Sequence, residues 1–185
     1  MKTLSELFDC LVSDMATNKV DTRGKSFFGK MKGLVYLRRY SPGFACVFWF
    51  RTNQYLARKN NRFARYFSRR LSVRRIYRFG NDISCWSEIG PGFRIVHISD
   101  IVIGRKARAG KNLTILNSVT LGEKNVSENA MPNIGDNVYI GTGAKLLGDI
   151  TVGDNVTIGA LTFCNKSIPS NSVVYGNPMI VKRKT

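Results

Sequence analysis

An aliphatic residue recurs at every sixth position through most of the second half of this chain. The series begins Ile83, Ile89, Ile95, resumes two residues late at Ile103, and runs in strict step from Ile134 to Cys164. A small residue, most often glycine, follows the aliphatic one in most hexads. A period of six fits neither an α-helix nor a simple alternating strand. So many glycines would also cost about 1 kcal/mol each inside helices.

A six-residue repeat of this kind predicts a left-handed parallel β-helix. Each hexad forms one flat side of a triangular prism, three hexads complete one coil, and the aliphatic residue points to the prism axis. Glycine suits the corners, where the chain turns with unusual backbone angles. We therefore predict a mainly β domain over residues 81–185, preceded by a basic α-helical region over residues 1–80.

The repeat is interrupted at two places. Two extra residues lie between Ile95 and Ile103, directly after His97, the only histidine of the chain. The polar segment 123–133 has no hexad pattern and is predicted to be a loop projecting from one corner. Loops on a rigid scaffold often carry function, so both interruptions are candidate functional segments.

The charge of the chain is concentrated in its first half. The formal net charge is +17, and residues 1–80 contain 18 Lys and Arg against 4 Asp and Glu. No acidic residue occurs between Thr22 and Asn81. We therefore expect the basic N-terminal region and the repeat domain to have different functions.

Cysteine spacing and the apolar runs indicate the compartment. The four cysteines form no CxxC pair and lie near no histidine, which favours free thiols in a reducing cytoplasm and no metal site. The N-terminus lacks the apolar stretch of a signal peptide, and the longest apolar run, 43–50, is too short to span a bilayer. A cytoplasmic protein is predicted.

The basic segment 51–80 is predicted to contain one helix with two stripes. Leu56, Phe63, Phe67 and Leu71 would form an apolar stripe packed on the prism, and a basic stripe would lie beside it. The members of the basic stripe are Arg58, Arg62, Arg65 and Arg69.

The basic stripe has more than one interpretation. It can be a solvated helix face, or it can attract the protein to an anionic membrane, at the inner face of the inner membrane. Contact with an anionic glycan is a further possibility, and nucleic acid is disfavoured because it would not explain the repeat.

The segments "MPNIGDNVYIGTGAKLLGDITVGDNVTIGALTFCNKSIPSNSVVYGNPMIVKRK" and "SPGFACVFWFRTNQYLARK" resemble hexapeptide-repeat acyltransferases of the serine acetyltransferase type. The similarity covers roughly residues 41–182, and the pattern is nearest to the O-acetyltransferases of capsule, colanic acid and exopolysaccharide pathways. The resemblance implies an enzyme that uses acetyl-CoA, assembles as a homotrimer, and has active sites in the clefts between neighbouring prisms.

The resemblance also implies site residues. The family's catalytic aspartate and histidine match Asp82 in "NDIS" and His97 in "IVHIS". Val96 replaces an aspartate beside the histidine, and Met131 in "AMPNI" replaces a loop histidine; the family uses both around its amino-acid substrate. Retention of the base together with loss of these two groups predicts an acceptor other than serine.

The spacing of Asp82 and His97 is compatible with a catalytic pair. They are 15 residues apart, close to the length of one coil, so both are expected near one corner of the prism. A carboxylate that holds one imidazole nitrogen leaves the other free to take a proton from an acceptor hydroxyl as it attacks the thioester. By family position, the backbone N–H of Gly122 is the candidate oxyanion donor.

The family also binds the pantetheine arm of CoA in the groove between prisms. The matching positions, which we expect to contact the cofactor, are Gly122, Thr142, Gly143, Ala160, Lys166 and Lys182.

These observations predict an acetyl-CoA-dependent O-acetyltransferase that acts on a sugar hydroxyl in bacterial surface-polysaccharide synthesis, with a lipid-linked saccharide as one candidate acceptor. Serine O-acetyltransferase is the alternative within the same reaction class. A non-catalytic β-helix scaffold that binds membrane or glycan is the alternative from another class.

Overall fold

The computed structural model describes residues 3–125 and 130–184. Its first part is helical, and each of the four helices has a side chain at its N-cap that accepts a backbone N–H of the first turn. The helices are α1 (Leu4–Thr17), α2 (Phe27–Tyr40), α3 (Pro42–Ala57) and α4 (Arg62–Phe79). Helix α4 ends at Gly80, which adopts a left-handed conformation with φ of 62° and turns the chain into the first strand.

The rest of the chain forms a triangular prism. Each of its three faces is a β-sheet of parallel strands, and one antiparallel strand is added at the end of the third face. The first face has strands β1 (Asp82–Ile83), β4 (Val102–Ile103), β7 (Thr120–Gly122), β10 (Lys145–Leu147) and β13 (Phe163–Cys164). The second face has β2 (Glu88–Ile89), β5 (Arg108–Ala109), β8 (Asn133–Ile134) and β11 (Thr151–Val152). The third face has β3 (Arg94–Ile95), β6 (Thr114–Ile115), β9 (Tyr139–Ile140), β12 (Thr157–Ile158), β14 (Ser172–Tyr175) and the antiparallel β15 (Ile180–Arg183).

The hexad residues form the axis of this prism. Each strand from β1 to β13 carries one of them, and parallel pairing places them in register, as with Ile83 opposite Ile103 and Ile103 opposite Leu121. All are buried except the half-buried Ala109. The predicted left-handed β-helix preceded by a helical region is confirmed, because the repeat supplies one inward aliphatic side chain per strand.

One corner of the prism is held by a ladder of asparagine side chains. Asn112, Asn137, Asn155 and Asn171 lie on successive coils between the second and third faces, and their amides are joined at 2.9 to 3.1 Å. All four adopt left-handed backbone angles with φ of 56° or 57°. Asparagine tolerates this conformation better than most residues, so one side chain provides both the turn and the bond to the next coil.

Helix α3 lies against the first coil at Gly43. A Cβ atom on Gly43 would overlap the carbonyl oxygen of Ile95 in β3, so only glycine permits this approach. The contact positions the strand that immediately precedes Val96 and His97.

The helices also cap the open end of the prism. Arg51 donates to the carbonyl oxygens of Ile89 and Gly90 at 2.6 and 2.7 Å, and Gln54 donates to that of Ser87 at 2.7 Å. Arg75 of α4 donates to the carbonyl oxygen of Ile83 at 3.1 Å. These side chains satisfy backbone groups of the first coil, which has no preceding coil to pair with.

The predicted single helix with an apolar stripe from Leu56 to Leu71 is wrong. Helix α3 ends at Ala57 and α4 begins after Asn61, whose side chain accepts the Phe63 N–H at 2.8 Å. The face of α4 that packs on the protein carries Ser68 and Arg75, whereas Phe63 and Phe67 are 76% and 59% exposed. The middle of α4 therefore attaches through polar contacts, including a 2.6 Å bond between the Ser68 hydroxyl and the Asn53 amide, and only Phe79 at its end is buried in the hydrophobic core.

Candidate active site

The candidate catalytic residues lie at the corner between the third and first faces, which we call corner 3–1. Its segments are residues 96–101, 116–119, 141–144 and 159–162. Backbone bonds join these segments in order, from Ser118 N to Ser99 O at 2.9 Å, Gly143 N to Asn117 O at 3.0 Å, and Leu161 N to Thr142 O at 2.8 Å. Residues on different coils are thereby aligned along one edge of the prism.

His97 lies on the first of these segments, where two extra residues widen the corner. Its side chain is exposed, and the preceding Val96 is half-buried. Ser99 and Asp100 have positive φ values of 147° and 56°, and the Asp100 N–H donates to the Gly80 carbonyl oxygen at 2.9 Å. The widened turn thus presents the imidazole to solvent at the edge of corner 3–1.

Asp82 begins β1 on the adjacent coil, at the same corner. Its side chain is exposed, and its backbone N–H donates to the carbonyl oxygen of Ile101 at 2.8 Å. Within residues 3–125 and 130–184, no hydrogen bond or ion pair joins the Asp82 and His97 side chains. The fold brings both residues to one corner without a direct bond between them.

Three of the predicted cofactor positions lie further along corner 3–1. Thr142 donates its hydroxyl to the Asn117 side-chain oxygen at 3.0 Å, and Ala160 is exposed one coil beyond. Gly143 has a φ of 71°, and a Cβ atom there would lie 2.7 Å from Leu161 Cδ2. The edge of the prism that carries His97 thus continues with small residues whose backbone is held by hydrogen bonds between coils.

The other predicted cofactor positions lie elsewhere on the chain. Gly122 ends β7 where the 123–133 segment leaves the first face, and its carbonyl oxygen accepts the Gly148 N–H at 3.0 Å. Lys166 is exposed in the turn after β13. Lys182 lies in β15 with its ammonium 5.7 Å from the centre of the Tyr175 ring. A single chain does not gather these residues around His97.

Met131 lies at the end of the segment predicted to project as a loop, of which residues 126–129 lie outside the described part of the chain. A Cβ atom on Gly104 would overlap the Met131 methyl group, so the thioether packs directly after β4 on the first face. Val96 directly follows β3 of the third face, at the start of corner 3–1 and beside His97.

Sequence reasoning missed a cavity beside Asp82. A cavity of about 640 Å³ lies between α4 and the first face, and Arg69, Asp82, Trp86 and Arg105 are among its lining residues. The buried Arg75 also lines it; burial lowers the pKa of its guanidinium, and its Nε has no partner among the described residues. In the sequence, only the arginines of α4 could have indicated this cavity. Which of them face the prism depends on how α4 packs, and the sequence does not show that packing.

The described residues include no group of three or more His, Cys, Asp or Glu side chains that could hold a metal ion.

Residues 131–166 match the family described as bacterial transferase hexapeptide (six repeats). Serine acetyltransferase of Staphylococcus xylosus is 44% identical over 100 residues, which is 54% of this chain and 46% of that protein. Serine acetyltransferase of Buchnera aphidicola subsp. Acyrthosiphon pisum is 37% identical over 142 residues, 75% of this chain and 50% of that protein. The chain spans about half the length of these relatives.

Solved structures of serine acetyltransferases share the fold over nearly the whole chain. The Brucella abortus strain S19 enzyme superposes with a TM-score of 0.79 at 27% identity, covering 98% of this chain and 70% of that one. The Neisseria gonorrhoeae enzyme superposes with a TM-score of 0.81 at 27% identity, covering 97% of this chain and 66% of that one. Since the coverage of this chain is nearly complete, the similarity includes the helical region as well as the prism.

These relatives correct the predicted acceptor. The sugar hydroxyl, and with it a role in capsule or polysaccharide synthesis, is wrong, because the relatives at 37% to 44% identity and the matching structures are serine acetyltransferases. The prediction rested on Val96 and Met131 and on the resemblance to the O-acetyltransferases of polysaccharide pathways. Two changed side chains alter contacts around an acceptor, but they leave the scaffold and the histidine in place.

The hexad axis, the match of residues 131–166 and the shared fold together make this chain similar to the hexapeptide-repeat transferases and give it the β-helix fold of the serine acetyltransferase structures.

Proposed function

We propose that this chain is an acetyl-CoA-dependent O-acetyltransferase whose acceptor is serine. The observation that carries the proposal is the exposed His97 at the widened part of corner 3–1, in line with Thr142, Gly143 and Ala160. The serine acetyltransferase relatives support the choice of acceptor. An acetyl-CoA-dependent reaction agrees with a cytoplasmic location.

His97 acts as the general base in this proposal. The neutral imidazole takes the proton of the serine hydroxyl while the oxygen attacks the thioester carbonyl carbon of acetyl-CoA. The tetrahedral intermediate then collapses, the C–S bond breaks, and the CoA sulfur leaves as a thiolate that takes the proton from the imidazolium. Asp82, at the same corner, favours the imidazolium through its negative charge.

The donor runs along corner 3–1 from His97 towards Ala160. The small residues at 143 and 160 leave room for the pantetheine arm close to the backbone. Lys166 and Lys182 supply positive charge for phosphate groups, and the Gly122 N–H is the candidate donor to the oxyanion. These residues lie on other parts of the prism surface, so the complete site requires a neighbouring protomer, as in a homotrimer.

The acceptor lies near the first face, between Val96 and Met131. Both side chains are apolar where the family has a carboxylate and an imidazole, so serine is held by fewer charged contacts. We therefore expect a functional site with weak acceptor affinity and an intact base.

The test measures CoA release and O-acetylserine formation from acetyl-CoA and serine. We expect turnover by the wild-type chain and a loss of about 10²- to 10⁴-fold in kcat for His97→Ala. Lys111→Ala, an exposed change at a different corner, is the matched control and keeps the wild-type rate.

Three outcomes would overturn the proposal. Near-normal turnover by a folded His97→Ala variant would remove the histidine from the mechanism. Acetyl-CoA turnover that depends on another hydroxyl compound, with no acetylation of serine, would remove serine as the acceptor. A complete absence of acetyl-CoA turnover would favour a non-catalytic scaffold.

A further inference from the structure

Helix α2 exposes an apolar stripe on the side opposite to its buried face. Leu34 and Leu37 are buried against the other helices. Phe28, Met31 and Val35 lie on the outer side at helical spacing, and they are 76%, 39% and 56% exposed. Helix α2 is therefore apolar on two sides, but only the side with Leu34 and Leu37 packs against the rest of the described chain.

The exposed side of α2 is also basic. Lys32, Arg38 and Arg39 are exposed on the same helix, and no acidic residue occurs between Thr22 and Asn81. Long basic side chains interleaved with phenylalanine, methionine and valine are typical of helices that lie in a membrane interface.

Helix α4 repeats this composition. Its exposed apolar and aromatic side chains are Phe63, Tyr66, Phe67, Val73, Ile76 and Tyr77. Its exposed arginines are Arg62, Arg65, Arg69, Arg70, Arg74 and Arg78. Because the middle of α4 packs through Ser68, Ser72 and Arg75, all of its aromatic residues except the buried Phe79 are left on the outside.

Trp49 of α3 links the two exposed surfaces. The Arg38 guanidinium of α2 lies 5.7 Å from the centre of the Trp49 ring. On its other side, Trp49 lines a cavity of about 470 Å³ together with Arg74, Tyr77 and Arg78 of α4. We call the resulting surface the basic aromatic face; it runs from Phe28, Val35 and Arg39 across Trp49 to Arg74 and Tyr77.

The charge of this face decides among possible occupants. A second copy of the same face would bring two positive surfaces together, at the cost of their repulsion. A nucleic acid would neutralise the arginines but would not require Phe28 or Val35 to be exposed. An anionic bilayer satisfies both features, because its phosphates pair with the basic groups and its interface accepts the apolar and aromatic ones.

We infer that the basic aromatic face docks the protein on an anionic lipid bilayer surface, beyond the proposed acetyl transfer. The chain would lie on the surface: among the described residues, no helix is both long and apolar enough to cross a bilayer. Each basic side chain near an anionic surface contributes about fivefold in affinity, so several of them acting with an apolar stripe give measurable binding.

The test is flotation of the full chain with vesicles of phosphatidylcholine alone or with one third phosphatidylglycerol. We expect recovery with the anionic vesicles, little with the neutral ones, and a decline as salt is raised. Phe28→Ser with Val35→Ser removes the apolar stripe, and Lys32→Glu with Arg39→Glu reverses the charge. Each pair should weaken binding at least about tenfold.

Matched controls make the same chemical changes elsewhere. Leu161→Ser removes an apolar side chain that is 76% exposed on the prism, and Lys106→Glu reverses an exposed charge between the first and second faces. Both should float like the wild type. Circular dichroism of every variant checks that the helices are intact, and flotation does not depend on acetyl transfer.

Three results would overturn the inference. Equal recovery with neutral and anionic vesicles would remove the role of charge. Loss of binding in the charge variant alone, with tight binding to duplex DNA, would assign the face to nucleic acid. Assembly in sedimentation experiments that the apolar variant abolishes, without any flotation of the wild type, would assign the face to a second copy of the chain.

Discussion

Asp14 of α1 and Arg51 of α3 form a buried ion pair, with 2.9 Å between Oδ2 and Nε and 3.1 Å between Oδ1 and Nη2. The Asp14 carboxylate also accepts the backbone N–H groups of Gly92 and Phe93 at 2.9 and 2.8 Å. Burial raises the pKa of the Asp14 carboxyl, while Arg51 and the two amides oppose that shift. The pair joins two helices to the first coil of the prism, close to the strand that leads to His97.

We predict that Asp14→Asn destabilises the protein by about 3–5 kcal/mol, because Arg51 is left buried without a counter-charge. Chemical denaturation monitored by circular dichroism measures this loss. Asp21→Asn, which changes an exposed carboxylate, serves as the control and should leave the midpoint of unfolding close to that of the wild type. Equal effects of the two variants would contradict a structural role for the buried pair.

Gly43→Ala should destabilise the protein by about 1–3 kcal/mol, because its Cβ atom would overlap the Ile95 carbonyl oxygen and push α3 from β3. Since Ile95 lies two residues before His97, we expect kcat to fall as well. Thermal unfolding and steady-state kinetics measure both effects. Gly29→Ala in α2, where a Cβ atom meets only ordinary contacts, should be neutral or stabilising; a similar loss there would count against the steric argument.

Val96→Asp combined with Met131→His restores the two polar groups that the family has at these positions. If both lie beside serine in the complex, the KM for serine should fall about tenfold, while the KM for acetyl-CoA stays unchanged. Met131→Leu conserves the apolar packing on Gly104 and should leave both constants near wild type. An unchanged KM for serine in the double variant would separate these positions from the acceptor.

Burial raises the pKa of the Cys164 thiol to about 11. The folded state therefore holds this proton more tightly than the unfolded chain, so the contribution of Cys164 to stability is present at neutral pH and declines as pH rises towards 11. Cys164→Ala should show a shallower loss of stability over that range than the wild type. Parallel pH profiles of urea unfolding for the two proteins would contradict this prediction.

The prism could be predicted because each of its strands requires an aliphatic side chain that points to the axis. Every coil needs inward aliphatic side chains such as Ile103, Leu121 and Leu146, and the sequence repeats them at a period that no other regular structure shares. The same register placed Asp82 and His97 at one corner. The repeat carries no information about contacts between protomers, so it did not indicate how Gly122, Lys166 and Lys182 relate to the histidine.

The packing of α4 could not be predicted, because hydrophobic periodicity assumes that apolar side chains face the protein. Here Arg75 and Ser68 face inward, since the first coil presents carbonyl oxygens and α3 presents Asn53. A polar docking surface inverts the usual amphipathic pattern, which left Phe63 and Phe67 outside. For the same reason the sequence indicated the basic character of this region but neither the cavity beside Asp82 nor the aromatic side chains on its outer surface.

The capping of the first coil has a consequence for association between molecules. A parallel β-helix ends in strand edges whose free carbonyl groups offer a template for another chain, and stacked prisms would grow into fibres. Arg51, Gln54 and Arg75 occupy the carbonyl oxygens of Ile83, Ser87, Ile89 and Gly90, so that this edge has no acceptor left at those four positions for an incoming strand. The helical region thereby protects this end of the prism against the edge-to-edge strand pairing that would extend the sheet into a second molecule.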